Sequence, residues 1–215
     1  MSARVDKHWK DKGLPSYETE AILGTLQHYG VAVEEAALKA TQGEKFPFEL
    51  ALEWRRDWKG TGQFAAFPYA AANELFGRLF PEKASPMGTA HVVLEVIANG
   101  LKVLSGQADA NLPEAMGRWS ELAAKLPAPG ERRDIFLSEL VSFLESWAQT
   151  FNELPERLAK AGKKDEALQV ASLHETLFIE REGAMTAVVR AASGEKEAAV
   201  AELVGWAGEA GRDVF

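Results

Sequence analysis

At 215 residues, with 47% hydrophobic and 26% charged residues, the chain has the composition of a folded globular protein and not of a disordered one. It contains no cysteine, which excludes a disulfide framework, a thiolate metal site and a cysteine nucleophile, and fits a reducing compartment. A net charge of −8 opposes a phosphate backbone, so no nucleic-acid partner is expected; a basic protein is the natural partner, although acidity also serves solubility alone.

The first fifteen residues set Arg4, Lys7, Lys10 and Lys12 against Asp6 and Asp11 and carry no apolar stretch of the signal-peptide type. They are expected to form a flexible polar N-terminal arm. Ser16 then caps a helix with Tyr17, Ala21, Ile22, Leu26 and Tyr29 on its apolar face, stopped by Gly30. A second helix carries Val33, Ala36, Ala37 and Ala40 to Gly43. Pro47 opens a third, with Ala51, Trp54 and Trp58 on one stripe, and Pro68 opens a fourth that runs to Phe80. Beyond the loop 81–88, Ala90, Val93, Leu94, Ile97, Leu101 and Leu104 keep helical spacing; the β-branched run 92–97 is the one place that also reads as a strand, but no partner strand exists for it.

Asn111 and Glu114 fit a capping box for a helix bearing Met116, Trp119, Leu122 and Leu126, which ends at the breaker 127–130. Leu137, Leu140, Val141, Leu144, Ala148 and Phe151 follow on one stripe, with a break expected near Pro155. Further helices are expected over 164–182, 184–192 and 195–210. The fold expected is all-α, about ten helices packed as antiparallel helical hairpins in a single compact domain over 16–215, with roughly 65–75% helix. No apolar run approaches the ~20 residues of a bilayer span, so no membrane association is expected and the cytoplasm is the expected location.

Gly162, Ala167 and Leu168 recur 32 positions later as Gly194, Ala199 and Val200. This pattern resembles the turn between the two helices of a tetratricopeptide repeat, where Gly and Ala allow close helix crossing. The resemblance covers about 50 residues and lacks the family's early aromatic and closing proline; it implies stacked helical hairpins, as any αα-hairpin array would.

Chemistry is sparse. His28, His91 and His174 lie on three expected helices, where they can converge on a metal or haem or serve as ordinary core and rim residues; no second ligand lies one turn from any of them in an HxxxH, HExxH or ExxH pattern. Glu49 and Glu53 share a polar helix face, read as solvated. The Gly60–Gly62 turn lacks the strand and the Lys-Ser/Thr of a phosphate loop, and no nucleophile elbow is present. No catalytic residue and no cofactor is expected.

What stands out is a block between Phe46 and Phe80 that holds nine of the twenty aromatic residues. Its helical members read as core. Its loop, with Gln63 and Phe64 at the tip, reads equally as core or as a binding hot spot. The candidate binding set is Trp54, Arg55, Arg56, Trp58, Gln63, Phe64, Phe67 and Tyr69. The function expected is a non-enzymatic protein-interaction module, an acidic helical scaffold of the immunity-protein or antitoxin kind that caps a basic partner. The alternative is a helical-bundle enzyme, or a ligand or metal carrier, using the central histidines and an aromatic-lined pocket.

Overall fold

The computed structural model describes residues 4–178 and 183–210, with side chains up to Val204 at the C-terminal end. The chain is all-α: helix content is 72%, and no strand occurs among the described residues. It divides into two compact units, Met1–Met87 with Lys125–Glu139, and Gly88–Ala124 with Leu140–Phe215. Two of the crossings lie at or beside the loop 81–88 and the breaker 127–130, where prolines interrupt helical spacing.

The first unit holds α1 (Trp9–Lys12), a 3-10 turn (Leu14–Ser16), α2 (Thr19–His28), α3 (Glu35–Ala40), α4 (Pro47–Arg55), a 3-10 turn (Gly62–Phe64), α5 (Phe67–Leu79) and the start of α8 (Glu131–Leu144). Ile22 and Leu26 of α2, Ala51 of α4, and Phe67, Ala71 and Leu75 of α5 form its core. The N-terminal segment is not the loose arm its polar residues suggest. Val5, Trp9 and Leu14 are buried, Trp9 stands edge-on to Phe67 at 5.3 Å, and the Val5 amide donates to Thr25 Oγ1 at 2.8 Å. Arg78 on α5 donates to the Leu14 carbonyl at 3.1 Å and to Thr19 at 3.2 Å, fastening the segment a second time. Three apolar side chains spaced four or five apart were enough, because a single tryptophan buries more apolar area than several lysines lose by staying at the rim.

The second unit holds α6 (Pro86–Leu104), α7 (Leu112–Ala123), the end of α8, a 3-10 turn (Glu145–Trp147), α9 (Ala148–Lys160), α10 (Lys164–Leu177), α11 (Ala184–Ala192) and α12 (Lys196–Ala210). The run 92–97 is helix: Val93, Val96 and Ile97, one face of α6, are fully buried, and packing outweighs β-branched propensity. By length and composition α6 is long and apolar enough to cross a membrane, which the sequence reading missed. Its buried face and the Glu95–Arg118 ion pair (3.3 Å) fit a core helix of this unit. Asn111 caps α7, accepting from the Glu114 amide at 3.4 Å, but the reciprocal half of the expected capping box is missing. The Asn111 backbone amide donates to Asn99 Oδ1 at 2.8 Å, and the Glu114 carboxylate takes the Asn111 side-chain amide instead.

The break expected near Pro155 comes earlier, at the 3-10 turn 145–147, and Pro155 sits buried inside α9. From α9 onward successive helices pack on one another, and α11 also packs on α9. The two turns related by 32 residues have the same hydrogen bonds: Lys163 N–H to Leu158 at 2.9 Å and Glu195 N–H to Arg190 at 2.9 Å, each closing over a glycine with φ of 76° or 89°. This Schellman cap is a general way to end a helix, and it recurs at Gly30, so the likeness between the turns follows from capping chemistry. Lys164 and Glu195 pair across the two turns. The helix expected to reach Glu182 stops at Leu177, where Phe178 leaves helical geometry as its C-cap; residues 179–182 lie outside the described residues.

Candidate functional site

Of the eight residues singled out from sequence, four face inward. Trp54 (7% exposed), Phe64 (8%) and Phe67 (0%) are core, and Trp58 is half-buried with its ring stacked on Phe67 at 5.8 Å. Trp58 does not share a helical stripe with Trp54, because α4 ends at Arg55; the following loop carries it back so that its indole N–H donates to the Phe64 carbonyl at 3.1 Å. That hydrogen bond, with Tyr29 at 5.2 Å and Phe67 at 5.7 Å, turns Phe64 inward, while Gln63 and its loop neighbours stay exposed.

Arg55 and Arg56 face outward, Tyr69 lies half-buried at the rim of the core, and two neighbours join them. Phe48 (43% exposed) and Leu52 (44%) lie one turn apart on the outer face of α4. Phe48 stacks on Tyr69 at 5.9 Å, and the Arg55 guanidinium lies 5.7 Å from the Tyr69 ring centre and donates to its hydroxyl at 3.2 Å. Neither Arg55 nor Arg56 has a carboxylate partner among the described residues.

A second feature of the same unit has no counterpart in the sequence reading. A cleft of about 660 Å³ opens between the turn 43–46, Lys83 and Ala84, the segment 125–127, and Arg132. Phe46, 4% exposed, forms its floor, packed on Phe136 at 5.6 Å. Arg132 lies flat over Phe46, its guanidinium carbon 4.0 Å from the ring centre, held by a 3.0 Å ion pair to Glu49. The same Glu49 oxygen accepts the Phe46 amide at 2.7 Å, so one carboxylate caps α4 and fixes the arginine. The Ala84 amide donates to the Lys125 carbonyl at 3.1 Å, joining two walls.

Glu139 stands beside this pair. Burial, with the Glu49 carboxylate nearby, pushes its pKa up to about 7 against a weaker pull from Arg132, and its Oε1 is buried with no hydrogen-bond partner among the described residues. Two other grooves of about 650 Å³, one lined by Met116, Trp119, Leu168 and Ser172 and one by Gln27, Val31, Glu34 and Ala37, contain no cation. Of these three, the Phe46 cleft combines an aromatic floor with cations. Those cations come from four segments spread over 88 positions, which is why no local spacing revealed them.

The histidines are scattered. His28 and His91 are exposed; His174 is fully buried, between Phe151 at 4.9 Å and Phe178 at 5.0 Å, with Nε2 at 2.8 Å from Asn152 Oδ1. No group of three or more His, Asp or Glu able to hold a metal occurs among the described residues. Glu95, one turn from His91, turns to Arg118 instead. The chain matches no protein-family model, no curated protein and no solved structure.

Proposed function

We propose that the protein is a non-enzymatic interaction module that recognises an acidic segment of another protein, carrying an apolar anchor, through the outer face of α4 and α5. The observation that carries this reading is the assembly of Phe48, Leu52, Arg55 and Tyr69. Two large apolar side chains lie exposed one turn apart, backed by a tyrosine that an arginine already holds in place. Rigid aromatic and arginine side chains lose little freedom on binding and supply most hot-spot energy. Arg55 and Arg56 lack carboxylate partners, so the local charge favours an acidic segment even though the whole chain is acidic. The absence of cysteine is in keeping with a cytoplasmic setting.

The test is selection from a displayed random-peptide library on the intact protein. The expected result is enrichment of peptides with an aromatic or aliphatic anchor flanked by Asp or Glu. Tyr69→Ala or Arg55→Glu should weaken their binding by on the order of 1–2 kcal/mol or more. Enrichment of basic peptides would overturn this assignment and move the interaction to the acidic helix faces, as the immunity-protein reading requires.

A further inference from the structure

We propose that the Phe46 cleft binds a small organic carboxylate, with its apolar body against Phe46, Leu126 and Pro127 and its carboxylate held by Lys83 and Lys125. The cleft is separate from the α4–α5 face, so this assignment and the interaction reading stand or fall independently.

The lysines are prepared as anion ligands. Lys83 donates to the Gln42 carbonyl, and Lys125 donates to the Pro81 carbonyl at 2.9 Å. A carbonyl fixes an ammonium group without neutralising it, and an ammonium group has three donors, so each lysine keeps a full charge and two N–H groups to offer. Lys45 is matched by Glu53 and Arg132 by Glu49, while Glu44 stands on the rim. Four cations thus face three carboxylates. Glu139 beside Arg132, its pKa raised to about 7 by burial, adds no charge while it keeps its proton, which leaves a surplus of one positive charge. That surplus suits a monoanion, and the nearby carboxylates oppose a phosphate dianion.

Two further observations mark the cleft as built. Gln42 is the only non-glycine residue with positive φ among the described residues, at 51°, followed by Gly43 at 65° in a turn closed by the Glu44 amide on the Thr41 carbonyl at 3.0 Å. A β-carbon on Gly43 would meet Lys83 and Phe80, each at 3.0 Å, so the close approach of turn and lysine needs glycine there. Left-handed backbone outside glycine is unfavourable and tends to sit at functional sites; here it presents the carbonyl that holds Lys83. Meanwhile Arg132, one of the lining cations, has a buried Nη2 with no acceptor among the described residues, and a buried donor without a partner is costly. The volume lies within the usual range for small-molecule sites.

The probe is 2-naphthoate, titrated into the full chain by calorimetry, with amide shifts read at Gly43 and Ala84. The expected result is one saturable site, at least tenfold weaker for the neutral isostere 2-naphthalenemethanol. It should also be at least tenfold weaker in the Lys83→Ala/Lys125→Ala double variant, whose thermal midpoint should match the parent. A charge-matched control, Lys7→Ala/Lys163→Ala, should bind as the parent does. The proposal is overturned by an absence of saturation, by equal affinity for the neutral isostere, by retained affinity in the lysine variant, or by shifts centred on Trp119 and Ser172. It is equally overturned if inorganic phosphate displaces naphthoate at equal concentration, since the apolar body would then contribute nothing.

Discussion

Glu139 offers a prediction whose sign is as informative as its size. Its carboxyl is half-buried beside the Glu49 carboxylate, and burial first, then that neighbouring charge, pushes its pKa up from the ordinary 4.5 to about 7. A raised folded-state pKa means that the native protein holds the proton more tightly than the unfolded chain. Below pH 4.5 both states are protonated and the site has no effect. Between pH 4.5 and 7 the unfolded chain ionises freely while the native one resists, so the contribution to stability falls as pH rises; above 7 the loss is complete and constant. At about 1.36 kcal/mol per pKa unit the ceiling is near 3 kcal/mol, and solvent access to the exposed half reduces it to on the order of 1–2 kcal/mol. Glu139→Gln keeps the shape and removes the charge. Urea melts of both proteins at pH 4.5, 6 and 8 should show the variant gaining on the parent with each step, by about 1–2 kcal/mol in total. A difference that stays flat with pH, or that grows in favour of the parent, would show that Glu139 is ionised and paired with Arg132, and would refute the reasoning.

Phe64→Ala should destabilise by about 3 kcal/mol, in the range of Trp54→Ala, because both rings lie in one core; a loss under about 0.5 kcal/mol in denaturant melts would return Phe64 to the surface. Trp9→Ala should cost about 3 kcal/mol and raise amide exchange at Val5, whereas a loose arm would give neither. Gly100→Ala places a β-carbon 2.8 Å from the fully buried Leu154. Overpacking should outweigh the gain in helix propensity and leave a net loss of about 1 kcal/mol by thermal melting, and a gain would mean that Leu154 can move aside.

Much of the fold was legible because its signals are local. Asn111 caps α7 where its spacing placed it, although Glu114 does not complete the box, and Gly162 and Gly194 end helices where their offset placed them. The errors came where distant contacts decided the outcome. Trp9 reads as one aromatic among lysines until Phe67 is beside it. Phe64 reads as a loop tip until the Trp58 indole reaches back to its carbonyl. Pro155 reads as a breaker, yet α9 accommodates it and the chain bends at 145–147. Within the aromatic block the exposed ring is Phe48, with Tyr69 half-buried beside it, since the buried face of α4 is taken by Leu50, Ala51 and Trp54.

Net charge says little about a local surface, for a physical reason. Exposed ion pairs contribute little field beyond their own contact, and Arg118 with Glu95 and Glu114, Lys102 with Asp109, Lys45 with Glu53 and Lys164 with Glu195 are all of that kind. A partner or ligand meets the charges that remain after such pairing. Among the cations discussed here those are Lys83 and Lys125, held by main-chain carbonyls, and Arg55, held by a tyrosine hydroxyl. A hydroxyl or a carbonyl orients a cation without cancelling it, so fixed geometry and uncancelled charge coincide at these positions. A chain with a net charge of −8 can therefore still carry fixed, uncancelled positive charge at particular positions.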